Sequence, residues 1–180
     1  MARAPVGEIG VDLQQKARDL RSLIAEHADE AERNRRVSTP VIEALASAGV
    51  FHMFVPREFG GGEVDVGTGV RVFEELAKAD GSTGWIAMIG ATTGVVSAYF
   101  PHHVSREVFR LGVITGGVVA PRGTAVPEGD AYRVNGRWSF ASGCEHSEWL
   151  ACACMVQGDG APDVRMALFR TSDAEIIDTW

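Results

Sequence analysis

The residue types best suited to chemistry are concentrated between Trp138 and His146. Trp138 and Phe140 alternate with small residues, so in an extended strand both aromatic side chains would lie on one face. Ser142 offers a hydroxyl that can donate or accept a hydrogen bond, and His146 offers a ring that can carry a proton near neutral pH. These side chains could form the wall and the polar groups of a ligand site. A packed sheet face, a turn serine and an exposed loop histidine would explain the same residues.

Helices in the first half of the chain must help to position this stretch. Apolar residues recur every three or four positions after Asp12, which is the spacing of one helix face. Thr39 and Pro40 suit a helix start, and Gly49 suits its end. The basic residues at 33–36 are interpreted as a solvated helix end. The pattern predicts helices over residues 12–35, 39–49, 66–79, 85–100 and 105–111.

After Gly112 the apolar pattern changes to that of short strands. Asn135 and Gly136 form a strong hairpin signal between two of them. The strands are predicted over residues 113–120, 131–134, 137–140, 149–156 and 166–170, with a further one from Ile176. The fold class is therefore predicted to be α+β, with an all-helical domain over residues 1–112 and an antiparallel β-domain over residues 113–180. The last strand has no partner in the sequence, so the β-domain is expected to be incomplete.

Composition excludes several classes of function. The net charge of -7 argues against binding nucleic acid, which needs cationic groups to replace counterions. The most apolar segment, Trp85–Phe100, is too short to cross a bilayer, and the first ten residues contain no apolar signal segment, so a cytoplasmic location is expected. Cys144, Cys152 and Cys154 are an odd count that suits a reducing compartment. Without a second ligand pair, Cys152 and Cys154 are interpreted as core residues, and no metal site is predicted.

Three pieces of sequence, together with the order of the elements, resemble the acyl-CoA dehydrogenase superfamily. They are Val55–Gly61 (VPREFGG), Phe73–Trp85 (FEELA, then DGSTGW) and Gly129–Trp149 (GDAYRVNGRWSFASG, ending in W). The resemblance implies a helical domain, a middle β-domain and a C-terminal helical bundle that this sequence lacks. It also implies that the main catalytic residue lies beyond Trp180 and that the 180-residue chain is inactive alone.

Two chemistries occur in that superfamily, and the sequence favours one of them. The dehydrogenases carry a Thr-Glu-Pro-x-x-Gly-Ser-Asp loop, of which only Pro121 is matched within Val119–Ala125. The stretch Trp138–Trp149 instead resembles two-component flavin monooxygenases, which hydroxylate phenols and other small substrates. One feature goes against that branch: several hydroxylases have a histidine about eight residues after the tryptophan that matches Trp85, and this chain has Thr93 or a neighbouring residue there. An acyl-CoA dehydrogenase that uses FAD and a non-catalytic helical binding module are the alternatives.

The resemblance also implies a flavin site and its partners. Ser142 matches the hydroxyl residue placed against flavin N5, and Phe140 matches an aromatic residue that covers the ring. The cofactor is expected to be FAD or FMN, supplied in reduced form by a flavin reductase, and the full-length protein is expected to be a homotetramer. His146 is a candidate catalytic residue. The predicted cofactor-binding residues are Ser142, Phe140, Trp85, Val119, Pro121 and Gly143.

Overall fold

A computed structural model describes residues 6–158 and 160–179. Residues 1–5, 159 and 180, which include the start of the first predicted domain and the end of the second, lie outside the described residues. Within the described residues, the helices precede the strands, as the predicted α+β class requires. The helices are α1 (Val6–Asp19), α2 (Arg21–Asn34), α3 (Thr39–Ala48), α4 (Val66–Ala77), α5 (Gly81–Thr93) and α6 (His102–Val108). The strands are β1 (Thr115–Glu128), β2 (Ala131–Gly136), β3 (Trp149–Val156) and β4 (Asp163–Arg170). The domain division at residue 112 stays a prediction.

Local capping residues set the helix ends. Asp65 accepts a hydrogen bond from the Thr68 backbone at 2.9 Å and so begins α4. Asp80 accepts from the Thr83 backbone at 2.6 Å, so α5 begins at Gly81, earlier than predicted. The single helix predicted over residues 12–35 is divided at Leu20 into α1 and α2, although Leu20 keeps helical dihedrals and its amide donates to the Lys16 carbonyl at 3.0 Å.

Small residues allow α5 to lie directly against the helical core. A Cβ atom added at Gly90 would lie 2.6 Å from the Phe51 ring, and one added at Gly84 would lie 2.6 Å from Cβ of Ala77. The opposite face of α5 carries Trp85, which is 47% exposed. The predicted burial of this helix is therefore correct for one face and wrong for the other.

The sheet has the strand order β2-β1-β3-β4. β1 pairs antiparallel with β2, and β3 pairs antiparallel with β4, but β1 and β3 run parallel. The prediction of an antiparallel sheet is therefore wrong for the central pair. The chain between β2 and β3 returns to the start of β1, where the Glu148 backbone donates to the Ile114 carbonyl at 2.9 Å. β3 then runs parallel to β1.

The hairpin lies six residues before the predicted turn. Gly129, with φ 64°, is the first residue of a two-residue turn between the paired residues Glu128 and Ala131. Asn135 and Gly136 lie inside β2, paired with β1, and residues 137–140 form no strand. The strand predicted from Ile176 is also absent from the described residues up to 179.

Two apolar clusters hold this architecture. The larger one joins α1 to α5 around Leu45, Val72 and Leu76, whose side chains are fully buried. The smaller one joins the helices to the sheet, since Val55, Val108 and Phe109 contact Trp149 and Leu168. In the part of the chain that the structure describes, no helix has the length and apolar character needed to span a membrane.

Ion pairs and one stacked arginine tie α6 to the start of β3. The guanidinium of Arg170 lies 4.0 Å from the centre of the Trp149 ring and also bonds to Glu148. Glu148 pairs with Arg110 at 3.2 Å, and Arg170 pairs with Glu107 at 3.3 Å. This network holds Glu148 and Trp149, which follow the segment that carries Ser142.

His52 should make stability depend on pH. Its ring is 4% exposed, Nε2 donates to the Arg110 carbonyl at 2.7 Å, and Nδ1 is buried without a hydrogen-bond partner among the described residues. Burial lowers the pKa of His52 from 6.5, and the hydrogen bond to Arg110 opposes that shift. The unfolded chain therefore takes up the proton first as the pH falls. We expect the free energy of unfolding to decrease from pH 7.5 to pH 5.5, as urea unfolding can measure.

The control for this prediction is the exposed His103. His52→Gln should flatten the pH dependence, since glutamine can donate to the same carbonyl without titrating. His103→Gln should leave the dependence as it is. Equal pH dependence in His52→Gln and the unaltered protein would contradict the role given to His52.

Candidate functional site

The segment between β2 and β3, residues 137–148, forms a compact turn that we call the Ser142 turn. Gly143 adopts a left-handed conformation with φ 79°, and a short 3-10 turn over Cys144–His146 follows it. Internal hydrogen bonds close the turn: Cys144 N to Ala141 O at 3.0 Å, His146 N to Gly143 O at 3.0 Å and Ser147 Oγ to Gly143 O at 2.9 Å. These local bonds hold the backbone on both sides of Ser142.

Ser142 combines burial with an unused hydroxyl. The residue is 9% exposed, and its hydroxyl makes no hydrogen bond to any residue that the structure describes. The Ser147 hydroxyl, in the same turn, donates a hydrogen bond to the Gly143 carbonyl. The Ser142 oxygen is not among the fully buried side-chain atoms that lack a partner in the described residues, so it reaches the surface and is available to a ligand.

A cavity of about 1530 Å³ adjoins the Ser142 turn. It lies between α2, the start of α5, the Ser142 turn and one face of the sheet. Phe140, Ser142, Gly143 and His146 all line it, so the structure brings these four predicted site residues together. Phe140 is 91% exposed and has φ 61°, a strained conformation for a residue with a side chain.

The other predicted site residues lie outside the lining of this cavity. Trp85 precedes Ile86 in α5, and Ile86 lines the cavity. Ile86 lies close to the Ser142 turn, since its side chain would be 3.7 Å from a Cβ atom added at Gly143. Val119 and Pro121 are exposed in an irregular part of β1, where the pairing with β3 skips from Val118 to Gly123. Such bulges are common beside active sites, where they redirect side chains.

Trp138 and Phe140 do not share a face, contrary to the prediction. The indole Nε1 of Trp138 donates to the Ala153 carbonyl at 2.9 Å, and its ring lies 5.7 Å from the ring of Phe169. Trp138 is thus an anchor of the sheet, whereas Phe140 faces the cavity. The absence of a strand over residues 137–140 removes the alternation on which the prediction depended.

His146 is half-buried, unlike the exposed loop histidine that was the alternative. Burial lowers the pKa of His146, Glu145 raises it and Arg36 lowers it. The ring is therefore biased towards its neutral form, in which one nitrogen can accept a proton from a neighbouring group.

Thr93 does not offer a free hydroxyl to a ligand. Its Oγ1 donates to the Ile89 carbonyl at 2.9 Å, one turn earlier in α5.

Comparison with known families agrees with this architecture. The model of the family "Acyl-CoA dehydrogenase, N-terminal domain" matches residues 11–108, which is more than half of the chain. The chain belongs to the acyl-CoA dehydrogenase N-terminal domain family. The resemblance drawn from the sequence is thereby confirmed.

Two similar proteins are oxygenase components of flavin-dependent enzymes. The oxygenase component of the FADH2-dependent resorcinol hydroxylase of Rhizobium sp. (strain MTP-10005) is 34% identical over 88% of the chain and 40% of its own length. The oxygenase subunit of the flavin-dependent monooxygenase HsaA of Mycobacterium tuberculosis is 32% identical over 87% of the chain and 41% of its own length. The chain thus spans about 40% of the length of these curated relatives.

A solved structure that contains reduced flavin has the same fold over nearly all of this chain. XiaF from Streptomyces sp., in complex with FADH2 and glycerol, superposes with a TM-score of 0.89 and 26% identity. The match covers 97% of this chain and 45% of XiaF. The predicted α+β fold class, with helices followed by a sheet, is therefore confirmed.

The sequence did not indicate Arg36 and Glu145 as site residues. Arg36 Nη2 lies 3.2 Å from Glu145 Oε1, and both residues line the cavity. In the sequence, Arg36 was interpreted as part of a solvated helix end. No local signal reveals the contact, because the two residues come together only through the tertiary fold.

The cysteines behave as core residues, with one exception. Cys152 and Cys154 are buried in β3, and Cys144 is half-buried in the Ser142 turn. Burial raises the pKa of Cys152 to about 11 and also raises the pKa of Cys144 and of Cys154. Among the described residues, no cluster of histidine, cysteine or acidic side chains has the arrangement of a metal site.

These thiols should differ in reactivity. A thiol with a pKa of about 11 is ionised in about one molecule in a thousand at pH 8, and the thiolate is the nucleophile. We therefore expect iodoacetamide to label Cys144 first and Cys152 far more slowly, as timed alkylation with peptide mass spectrometry can measure. Urea should remove the difference, and equal labelling rates in the folded protein would refute the prediction.

Proposed function

We propose that the protein is the oxygenase component of a two-component, flavin-dependent monooxygenase that hydroxylates a small aromatic substrate. The observation that carries the proposal is the hydroxyl of the buried residue Ser142, which has no hydrogen-bond partner among the described residues and lies on a cavity. The relatives named above, which are flavin-dependent oxygenase components, support the same assignment.

The residues around the cavity fit a flavin. The Ser142 hydroxyl would form a hydrogen bond with the flavin ring, and the exposed Phe140 side chain would cover part of the ring. Gly143 leaves backbone space beside them. When bound, reduced FAD or FMN supplies the reaction with O2. We propose Trp85, Val119 and Pro121 as more distant contacts of the cofactor or substrate, since all three are exposed.

His146 is proposed as the group that moves a proton in this site. It lines the same cavity as Ser142, and its neutral ring could accept the proton of a phenolic hydroxyl. A phenol deprotonated in this way is a better nucleophile towards electrophilic oxygen. The proposal therefore assigns substrate activation to His146 and cofactor binding to Ser142.

The proposal includes partners and a location. A separate flavin reductase would supply the reduced cofactor, as the phrase "oxygenase component" in the relatives' names suggests. We also propose a homotetramer and a cytoplasmic location. The three free cysteines suit the reducing conditions of the cytoplasm.

The test uses the full-length protein under anaerobic conditions. Reduced FMN and reduced FAD are titrated separately, and binding is measured by absorbance and by ultrafiltration. Oxygen is then admitted with resorcinol or indole-3-acetate as probes, and hydroxylated products are identified by mass spectrometry. We expect reduced flavin to bind and at least one probe to be hydroxylated.

Two other results would overturn the proposal. Bleaching of bound oxidised FAD by an acyl-CoA, without hydroxylation of either probe, would identify a dehydrogenase. Failure to retain FMN or FAD in either redox state would identify a binding module without a cofactor.

A further inference from the structure

The end of α2 has an unusual backbone. Arg35 occupies the left-handed position that glycine usually takes, with φ 55°. The Arg35 amide donates to the Glu32 carbonyl at 3.3 Å, and the Arg36 amide donates to the Ala31 carbonyl at 3.1 Å. A side chain disfavours this conformation, so surrounding contacts must hold it in place.

This left-handed turn directs Arg36 to the Ser142 turn. Arg36 Nη2 lies 3.2 Å from Oε1 of Glu145, and the Glu145 side chain is only 26% exposed. Three described residues other than glycine have a positive φ, and two of them, Arg35 and Phe140, line the cavity that Ser142 also lines. The strained backbone is therefore concentrated around this cavity.

Glu145 is well placed to transmit a restraint to Ser142. It is the central residue of the 3-10 turn Cys144–His146, whose backbone is bonded to Ala141 and Gly143 on either side of Ser142. The opposite side of the Ser142 turn is tied to β1 through Glu148 and Ile114. The ion pair between Arg36 and Glu145 adds a contact between the Ser142 turn and the helical half of the chain.

We propose that Arg36 is a positioning residue, which holds the Ser142 turn against α2 through Glu145. As far as it concerns the cofactor, this inference rests on the proposed function. Without the ion pair, the Ser142 turn would open more often and would present Ser142 less well to the flavin. The restraint itself is a property of the protein without ligand, and it can be measured without flavin.

The alkylation rate of Cys144 in the Ser142 turn reports this opening. Burial raises the pKa of Cys144, and the negative charge of Glu145 raises it further. In Arg36→Ala, that negative charge loses its partner, so electrostatics alone would keep the thiol protonated and slow its alkylation. Opening of the turn would instead accelerate alkylation. We expect Arg36→Ala to accelerate Cys144 labelling about threefold, the effect of a partly exposed ion pair.

Matched variants complete the experiment. Arg36→Lys should retain a rate close to that of the unaltered protein. Arg33→Ala, which removes the same charge from α2 at an exposed position without an ion pair in the described chain, should not change the rate. A rate in Arg36→Ala that is unchanged or lower would overturn the inference.

The same variants are then titrated with reduced FMN and reduced FAD under anaerobic conditions. We expect Arg36→Ala to weaken binding about threefold and Arg36→Lys to restore it. If the unaltered protein binds neither flavin, the proposed function fails, while the labelling rates still decide whether Arg36 restrains the turn. If flavin binds equally well to all variants, the positioning role fails and the proposed function stands.

Discussion

Ser142→Ala is expected to reduce the yield of hydroxylated product per O2 consumed about tenfold. The substitution removes a hydroxyl that has no partner among the described residues, so the described part of the protein loses no hydrogen bond. In the proposed complex the flavin would lose one, and O2 consumed at a poorly held flavin is released as hydrogen peroxide. The measurement is the ratio of product to peroxide, with reduced flavin supplied chemically.

Two variants separate this role from a change in folding. Ser142→Thr keeps the hydroxyl and should retain most of the coupling between O2 consumption and hydroxylation. Ser139→Ala removes a hydroxyl from an exposed residue that lines the same cavity, and it should leave the coupling unchanged. If Ser142→Ala were coupled as well as Ser139→Ala, the Ser142 hydroxyl would have no part in holding the flavin.

The parts of the fold that were predicted correctly depend on short-range signals. Gly49, with φ 86°, ends α3 at the predicted residue, because a residue without a side chain adopts this conformation readily. β3 spans Trp149–Val156 as predicted, since a continuous apolar run suits a strand buried in the sheet. Such features are decided by residues close together in the chain.

The errors in the sheet have a tertiary cause. Asn135 and Gly136 are favourable turn residues, but a Cβ atom at Gly136 would lie 2.7 Å from the Trp138 ring. Gly136 is therefore needed for the close approach of Trp138, while Gly129 and Asp130 form the turn. Sequence patterns do not distinguish a glycine required for space from one required for a turn.

In the candidate site too, residues close together in the chain were predicted, and a residue brought near only by the tertiary fold was not. Phe140, Ser142, Gly143 and His146 are near neighbours in the sequence, so one compact turn brings them to the same cavity. Arg36 reaches this turn from α2, and its direction depends on the left-handed backbone at Arg35. An arginine gives no sequence signal for positive φ, so this part of the site could not be predicted.

The position of the site also depends on α5, which a larger residue at Gly90 should displace. A Cβ atom at this position would lie 2.6 Å from the Phe51 ring, and Phe51 is 3% exposed and surrounded by the helical core. Gly90→Leu is therefore expected to lower the free energy of unfolding by about 3 kcal/mol, the cost of overpacking a dense core. Urea denaturation measures this change.

Gly81→Leu is the matched control, because the same side chain would enter open space at the first residue of α5. It should change the free energy of unfolding by less than about 0.5 kcal/mol, as is usual at surface positions. Ile86 lies one helical turn before Gly90 and lines the same cavity as the Ser142 turn, so displacement of α5 should also accelerate the alkylation of Cys144. Equal stability of the two leucine variants would show that the core can accommodate the extra volume, and α5 would then not depend on its glycines for its position.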